Sequence, residues 1–176
     1  MASASTDLVV TPDPSGGHTA TLNAGAKTYA CVIGRTGARA DKREGDGATP
    51  IGRFPIRRVL YRADRGSKPI TALPVSRIAV DDGWCDAPAD AAYNRPVKLP
   101  YPASAEAMTR DDRLYDVVVV LGHNDDPVRP GDGSAIFLHV MPADGGPTAG
   151  CIALAPDDLR DVLTRVDANS ALIVRT

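Results

Sequence analysis

A chain of 176 residues is long enough to bury a sizeable core in one domain without disulfide or metal staples. Its formal net charge of -2 and sequence pI of about 5.9 leave no basic footprint for nucleic acid or an anionic membrane. Aromatics at 5% are too few for a base-stacking surface, and hydrophobics at 43% exclude a disordered chain.

Gly (16) and Pro (15) are plentiful, which points to short strands joined by tight turns. The runs "DLVVT" (7–11), "HTATLN" (18–23) and "KTYACVIG" (27–34) read as strands, separated by the turn sequences "DPSGG" and "NAG". A charged, Gly-rich stretch over 35–54 is too long for a hairpin turn, and loops of that length are usually functional or mobile. "RFPIRRVLYR" (53–62) is the next strand, with Pro55 indicating an edge position, and "ALPVSRIAV" (72–80) is another. Residues 81–108 show no sustained period and carry four prolines, which reads as an excursion over the surface with one short helix near 103–109. Trp84, Tyr93 and Tyr101 lie on it, as a cleft wall or as anchors to the core.

The unbroken apolar run in "YDVVVVLGHN" (115–124) marks a fully buried strand, and "SAIFLHVM" (134–141) is its expected neighbour across the turn-rich "DDPVRPGDG" (125–133). "APDDLRDVLTRV" (155–166) is the clearest helix, with Pro156 near N1, acidic residues in the first turn and a stripe of Leu159, Val162, Leu163 and Val166. "SALIVRT" (170–176) closes the chain as a strand. The expectation is one mostly-β domain over 1–176, with the first six or so residues disordered and a good helix directly after Cys151.

Three cysteines, Cys31, Cys85 and Cys151, leave at least one thiol unpaired, and none has metal-ligand or redox spacing; a Cys31–Cys85 bridge is allowed. The start "MASASTDLVV" has neither the basic nor the apolar region of a signal peptide, and no apolar run approaches the length of a membrane span. That fits a cytosolic chain or one shown without its export segment.

The stretch "IFLHVMPADGGPTAGCIAL" (136–154) carries the chemistry. A lone cysteine is by default a small core hydrophobe. Here Gly150 precedes Cys151, which lets backbone N–H groups approach a substrate oxygen, and His139 lies near the end of the preceding strand, either as a base for the thiol or as a structural histidine bonded to a carbonyl. His123, in "LGHN", ends another buried strand, so two of the three histidines fall toward one rim; His18 is incidental. His123, Asp125, Asp126, His139 and Cys151 match no metal-ligand spacing, and "DKREGDGATP" lacks the phosphate-loop pattern. No metal and no cofactor is expected.

Together, "EGDGATPIGRFPI" (44–56), "SAIFLHV" (134–140) and "TAGCIAL" (148–154) resemble the YkuD-type L,D-transpeptidases of bacterial peptidoglycan, with their T-P-x-G segment, strand-ending histidine and S-H-G-C motif. The resemblance implies a YkuD-like β-sandwich or barrel with one or two short helices. It also implies Cys151 as nucleophile, His139 as base, Gly150 beside the oxyanion, and Thr49, Pro50 and Gly52 as structural turn residues. The chain departs from the motif at Ala149, where the family has histidine, and at Ala153, where it has Arg or Asn; the loop between His139 and Thr148 is also short. His123, as a further catalytic residue, with Asn124 would then orient the donor substrate or stabilise the oxyanion, Arg129 would hold a substrate carboxylate, and Thr148, Trp84 and Tyr93 are further substrate-binding candidates.

The mechanism implied is ping-pong acyl transfer between peptidoglycan stem peptides through a Cys151 thioester, making 3→3 or 1→3 links, in the periplasm or cell envelope. Carbapenems should acylate the same thiol. Water in place of the acceptor amine would make the enzyme a hydrolase or carboxypeptidase. A catalytically idle wall-binding module is the rival from another class. No oligomeric state follows from the sequence.

Overall fold

The computed structural model describes residues 5–176. Along them run β1 (Leu8–Pro12), β2 (Thr19–Ala24), β3 (Lys27–Val32), β4 (Ala38–Arg39), β5 (Thr49–Pro50), β6 (Gly52–Tyr61), β7 (Val75–Arg77), β8 (Asp82–Cys85), β9 (Pro96–Lys98), β10 (Ala105–Ala107), β11 (Val117–Leu121), β12 (Phe137–Val140), β13 (Ile152–Leu154), α1 (Pro156–Leu163) and β14 (Ala171–Val174). The main sheet has the order β11-β12-β13-β3-β2-β1-β14-β6-β7, and β11 also pairs with β6, so the sheet closes on itself as a barrel-like sandwich. Closure removes most exposed strand edges.

Closure depends on β6, whose ten residues serve three partners. Its first half pairs with β14, Phe54 opposite Leu172, and its second half with parallel β7, Val59 opposite Val75. Along the other side β11 pairs from Val117 opposite Tyr61 to Leu121 opposite Ile56, with a bulge between Val120 and Leu121. The edge position expected from Pro55 is therefore corrected: β6 is central. Pro55 sits past the bulge, where its carbonyl accepts from Gly122 N–H at 2.8 Å, so its missing donor falls where the ladder is already ending.

The apolar run of β11 is unbroken because both of its faces are covered. Val117, Val119 and Leu121 enter the barrel core, while Val118 and Val120 join a second cluster with Ile78, Trp84, Met108, Tyr115, Phe137 and Cys151. The cover over that outer face is a small sheet, β10-β8-β9, built from the segment that the sequence assigns to a surface excursion. The helix expected near 103–109 is strand β10, with Glu106 opposite Trp84. A helix of one or two turns following Pro102 is marginal by itself, and strand pairing overrides the helix propensity of Ala-Glu-Ala.

Helix α1 buries Leu159, Val162 and Leu163 against the barrel core, with Pro156 in its first turn and Asp157 and Asp158 at its positive end. Cys31, Cys85 and Cys151 are all buried and free, so the bridge allowed between the first two is not formed. Of the six N-terminal residues expected to be disordered, residues 1–4 lie outside the described residues, and Ser5 Oγ shares a hydrogen bond with Ser170 Oγ at 3.1 Å. Among the described residues no helix is long and apolar enough to cross a membrane.

Candidate functional site

Strands β12 and β13 run parallel, with Leu138 opposite Ile152 and His139 opposite Ala153. Successive side chains alternate between faces. Leu138, Val140, Ile152 and Leu154 therefore enter the barrel, whereas Phe137, His139 and Cys151 share the outer face. Ala153, where the resemblance would place Arg or Asn, lies fully buried beside His139.

Cys151 is 8% exposed. Its thiol donates to Ala135 O at 3.1 Å and accepts from Phe137 N–H at 3.4 Å. Burial pushes the thiol up to about 12. His139 is 4% exposed, with Nδ1 at 2.8 Å from Val140 O. A carbonyl can only accept, so Nδ1 carries the proton and Nε2 is left with a lone pair, the tautomer a base needs. Burial also pushes the imidazole down to about 4. The Tyr115 ring stands edge-on to Phe137 at 5.9 Å and to His139 at 5.4 Å. Its hydroxyl donates to Glu106 Oε1 at 2.5 Å, and Arg110 donates to the same oxygen at 3.3 Å. Burial raises the Glu106 carboxyl despite these partners.

Cys151 and His139 both line a cavity of about 320 Å³, together with Lys42, Glu106, Arg110 and Tyr115. Lys42 is buried at 7% exposure, its ammonium paired with Asp46 Oδ1 at 2.5 Å and donating to Arg43 O at 2.7 Å. The backbone that carries the sulfur is tied down by two threonines. Thr49 Oγ1 accepts from Gly34 N–H at 2.9 Å and donates to Gly150 O at 2.8 Å. Thr148 Oγ1 donates to Cys151 O at 2.6 Å and accepts from Gly150 N–H at 3.1 Å. Gly150 has φ of +140°, and a Cβ there would stand 2.8 Å from Ala48 O, so no other residue fits. The Gly150 N–H expected to face an oxyanion is thus already committed to Thr148.

The model of the YkuD L,D-transpeptidase catalytic domain matches residues 13–174, nearly the whole chain. The chain belongs to that family. No curated protein matches it. Among solved structures it is similar to L,D-transpeptidase 1 of Mycobacterium tuberculosis at 16% identity and a TM-score of 0.41, covering 96% of this chain and 62% of that one. It is similar to an L,D-transpeptidase from Mycobacterium smegmatis at 14% identity and a TM-score of 0.48, covering 97% of this chain and 59% of that one. For L,D-transpeptidase 3 of Mycobacterium tuberculosis the values are 14%, 0.48, 97% and 62%. The chain spans about three fifths of the length of these chains.

Within this L,D-transpeptidase domain, five residues expected at the substrate stand outside the Cys151 cavity. His123 is half-buried, edge-on to Phe54 at 5.4 Å, with Nε2–H donating to Asp132 O at 3.0 Å; burial lowers its pKa. Asn124, at φ of +47°, donates to Arg129 O and Gly133 O and accepts from Arg129 N–H, so it closes the 124–133 loop. Arg129 lies exposed on that loop. Trp84 is buried edge-on to Phe137 at 5.0 Å, its Nε1–H donating to Asn94 Oδ1 at 3.0 Å. Tyr93 O–H donates to Glu44 Oε2 at 2.5 Å and accepts from Gly133 N–H at 3.1 Å. All but Arg129 brace the segments that bear the thiol and the imidazole. Thr148 lines the cavity, but its hydroxyl is committed to the backbone around Cys151.

The groups that the sequence reading missed are Lys42, Glu106, Arg110, Tyr115 and Asn94. Lys42 lies in the long Gly-rich loop over 35–54, of a length that is usually functional or mobile. Glu106 and Arg110 lie in or beside the segment read as a short helix, and Asn94 lies in the aperiodic 81–108 stretch. Asn94, at φ of +55°, accepts from Trp84 and from Ala135 N–H and donates to His123 O and Asn124 O, joining the outer sheet to the wall beside Cys151. No group of three or more His, Cys, Asp or Glu among the described residues is arranged to hold a metal ion.

Proposed function

We propose that this domain is a peptidoglycan L,D-transpeptidase, with Cys151 as nucleophile and His139 as its base, joining two stem peptides in the cell envelope. The observation that carries the reading is one cavity lined by a thiol and by a histidine whose Nδ1 proton is fixed on Val140 O, leaving Nε2 to accept. Membership of the family supports the reaction class.

Burial favours the neutral form of both groups. It raises the thiol and lowers the imidazole, so a preformed ion pair is disfavoured relative to the neutral pair. The thiolate therefore forms as it attacks. The Cys151 S–H leaves Ala135 O, His139 Nε2 takes the proton, and sulfur bonds to the carbonyl carbon of the donor stem. The Phe137 N–H, and to a lesser degree Lys42 and Arg110, favour the thiolate and offset part of the cost of desolvating the charge, while Glu106 in the same cavity opposes it. The position of Lys42 and Arg110 compensates for the polar groups absent at Ala149 and Ala153. The developing oxyanion takes the Cys151 N–H, which no side chain accepts, in place of Gly150 N–H. The terminal residue departs as an amine protonated by the imidazolium, leaving a thioester. An amine of the acceptor stem then attacks the thioester with His139 again as base, the C–S bond breaks, and the imidazolium returns the proton to Cys151 as the 3→3 or 1→3 link forms. The whole chain forms one catalytic domain on this reading.

Intact-mass spectrometry after incubation with a muropeptide mixture tests it. The expected result is a thioester adduct on Cys151 together with crosslinked dimers. Shortened monomers without dimers would make the domain a carboxypeptidase, and unchanged muropeptides with no adduct would leave it an idle wall-binding fold. A carbapenem should give the same adduct site.

A further inference from the structure

Behind the wall that carries the thiol lies a second cavity, of about 500 Å³, bounded by β6, β11, β8 and β9. Its apolar lining includes Trp84, Pro74, Pro96 and Phe137, and its charged lining is Arg57, Arg58, Arg95 and Asp125. Asp125 is already held bidentately by Arg57, at 2.9 and 3.2 Å, and Arg95 donates to Asp125 O at 2.8 Å. Arg58 is different. Its guanidinium makes no hydrogen bond or ion pair among the described residues, and its Nε is sealed from solvent with no partner. The sealed Nε lies out of a ligand's reach, so an acceptor would meet the two Nη groups, which are not sealed and are equally unpartnered among the described residues. The planar fork of arginine matches a carboxylate.

We propose that this cavity is a second binding site, for the C-terminal carboxylate of a short peptide with small apolar side chains, held on Arg58. A bare anion would leave most of the volume empty; a cavity of this size with apolar walls and one polar anchor is the usual form of a small-ligand site. Three guanidiniums face one carboxylate there, so the lining carries an excess of two positive charges. The site also touches the chemistry. Ile136 lines both cavities, and Phe137, whose ring lines this one, donates its N–H to Cys151 Sγ. The proposal does not rest on the reaction assigned to Cys151.

Trp84 is the only tryptophan, so its fluorescence reports on this cavity. Titration of the whole protein with N-acetyl-alanyl-alanine is expected to give a saturable change, absent with the C-terminal amide of the same peptide. Arg58→Met keeps most of the side-chain volume and should weaken binding about ten-fold or more, with an unchanged far-UV spectrum. Cys151→Ala should bind as the parent does. No saturable change in the parent, equal binding of the amide, or unaltered binding by a folded Arg58→Met would overturn the site. Equal affinity for acetate or inorganic phosphate would overturn the peptide assignment, and loss of the signal in Cys151→Ala would move it to the thiol cavity.

Discussion

The two faces of strands β11 to β13 are made of the same residues in alternation, yet they do different work. Toward the barrel, Val117, Val119, Leu138, Val140, Ile152 and Leu154 pack into a dry core. One residue along each strand, Val118, Phe137, His139 and Cys151 face a thinner layer, capped by a three-stranded sheet and interrupted by a cavity with charged walls. Both faces are buried, but along these three strands only the outer one carries ionisable side chains, His139 and Cys151. Burial there costs stability at extreme pH and sets the protonation states from which the chemistry starts. The inner face holds the strand register that places those groups.

Cys151→Ala should break the outer face alone. We expect complete loss of adduct and turnover, with the melting temperature shifted by only a few degrees; surviving activity would end the nucleophile assignment. Leu138→Ala, one residue from His139 but on the inner face, should do the reverse. Its cost is roughly 2–5 kcal/mol, or about 5–15 °C in melting temperature, with activity per folded molecule almost unchanged. If thermal melts of the two variants look alike, the two-face distinction fails.

Gly150→Ala joins the two effects, because its Cβ would meet Ala48 O in a backbone region closed to other residues. A loss of about 2 kcal/mol with at least ten-fold lower turnover is expected, measured by chemical denaturation and muropeptide assay. An alanine variant as active as the parent would show that the Cys151 backbone need not be held.

The pH dependence of stability separates the faces further. His139, lowered from 6.5 to about 4, binds its proton more readily unfolded, so its contribution is full above pH 6.5 and is lost as pH falls toward 4, on the order of 3 kcal/mol. Cys151 on the outer face and Cys31 on the inner are both raised from 9.0 to about 12, so their contribution is full below pH 9 and is lost as pH rises toward 12. Melting curves should show a plateau between these limits. His139→Gln should flatten the acid limb between pH 4 and 6.5, and either thiol variant should flatten part of the alkaline one.

Only a small effect on turnover is expected from His123→Ala. Its ring is held between Phe54 and Asp132 O outside the cavity, so the variant should lower the melting temperature by a few degrees and turnover by less than about three-fold. A large loss of turnover in a stable His123→Ala protein would restore it to the site.

Alternation, turn chemistry and motif spacing were legible along the chain. They marked the strands around Cys151, helix α1, and the Gly-rich loop that joins His139 to Cys151, because each is encoded within a few residues. The structural role of the T-P-x-G segment came from the family resemblance, and Thr49 holds Gly150. Strand order was not. Pro55 signals an edge only when neighbours are unknown, and β6 became central because β11 closed the barrel against it. The helix expected near 103–109 failed for the same reason: Ala-Glu-Ala is ambiguous until Trp84 lies opposite. The charged lining of the cavity, Lys42, Glu106 and Arg110, comes from segments far apart in sequence, and no local pattern announces which charges will be buried. Local periodicity determined which residues could carry the chemistry. Long-range pairing, which no short window contains, decided which polar groups surround them.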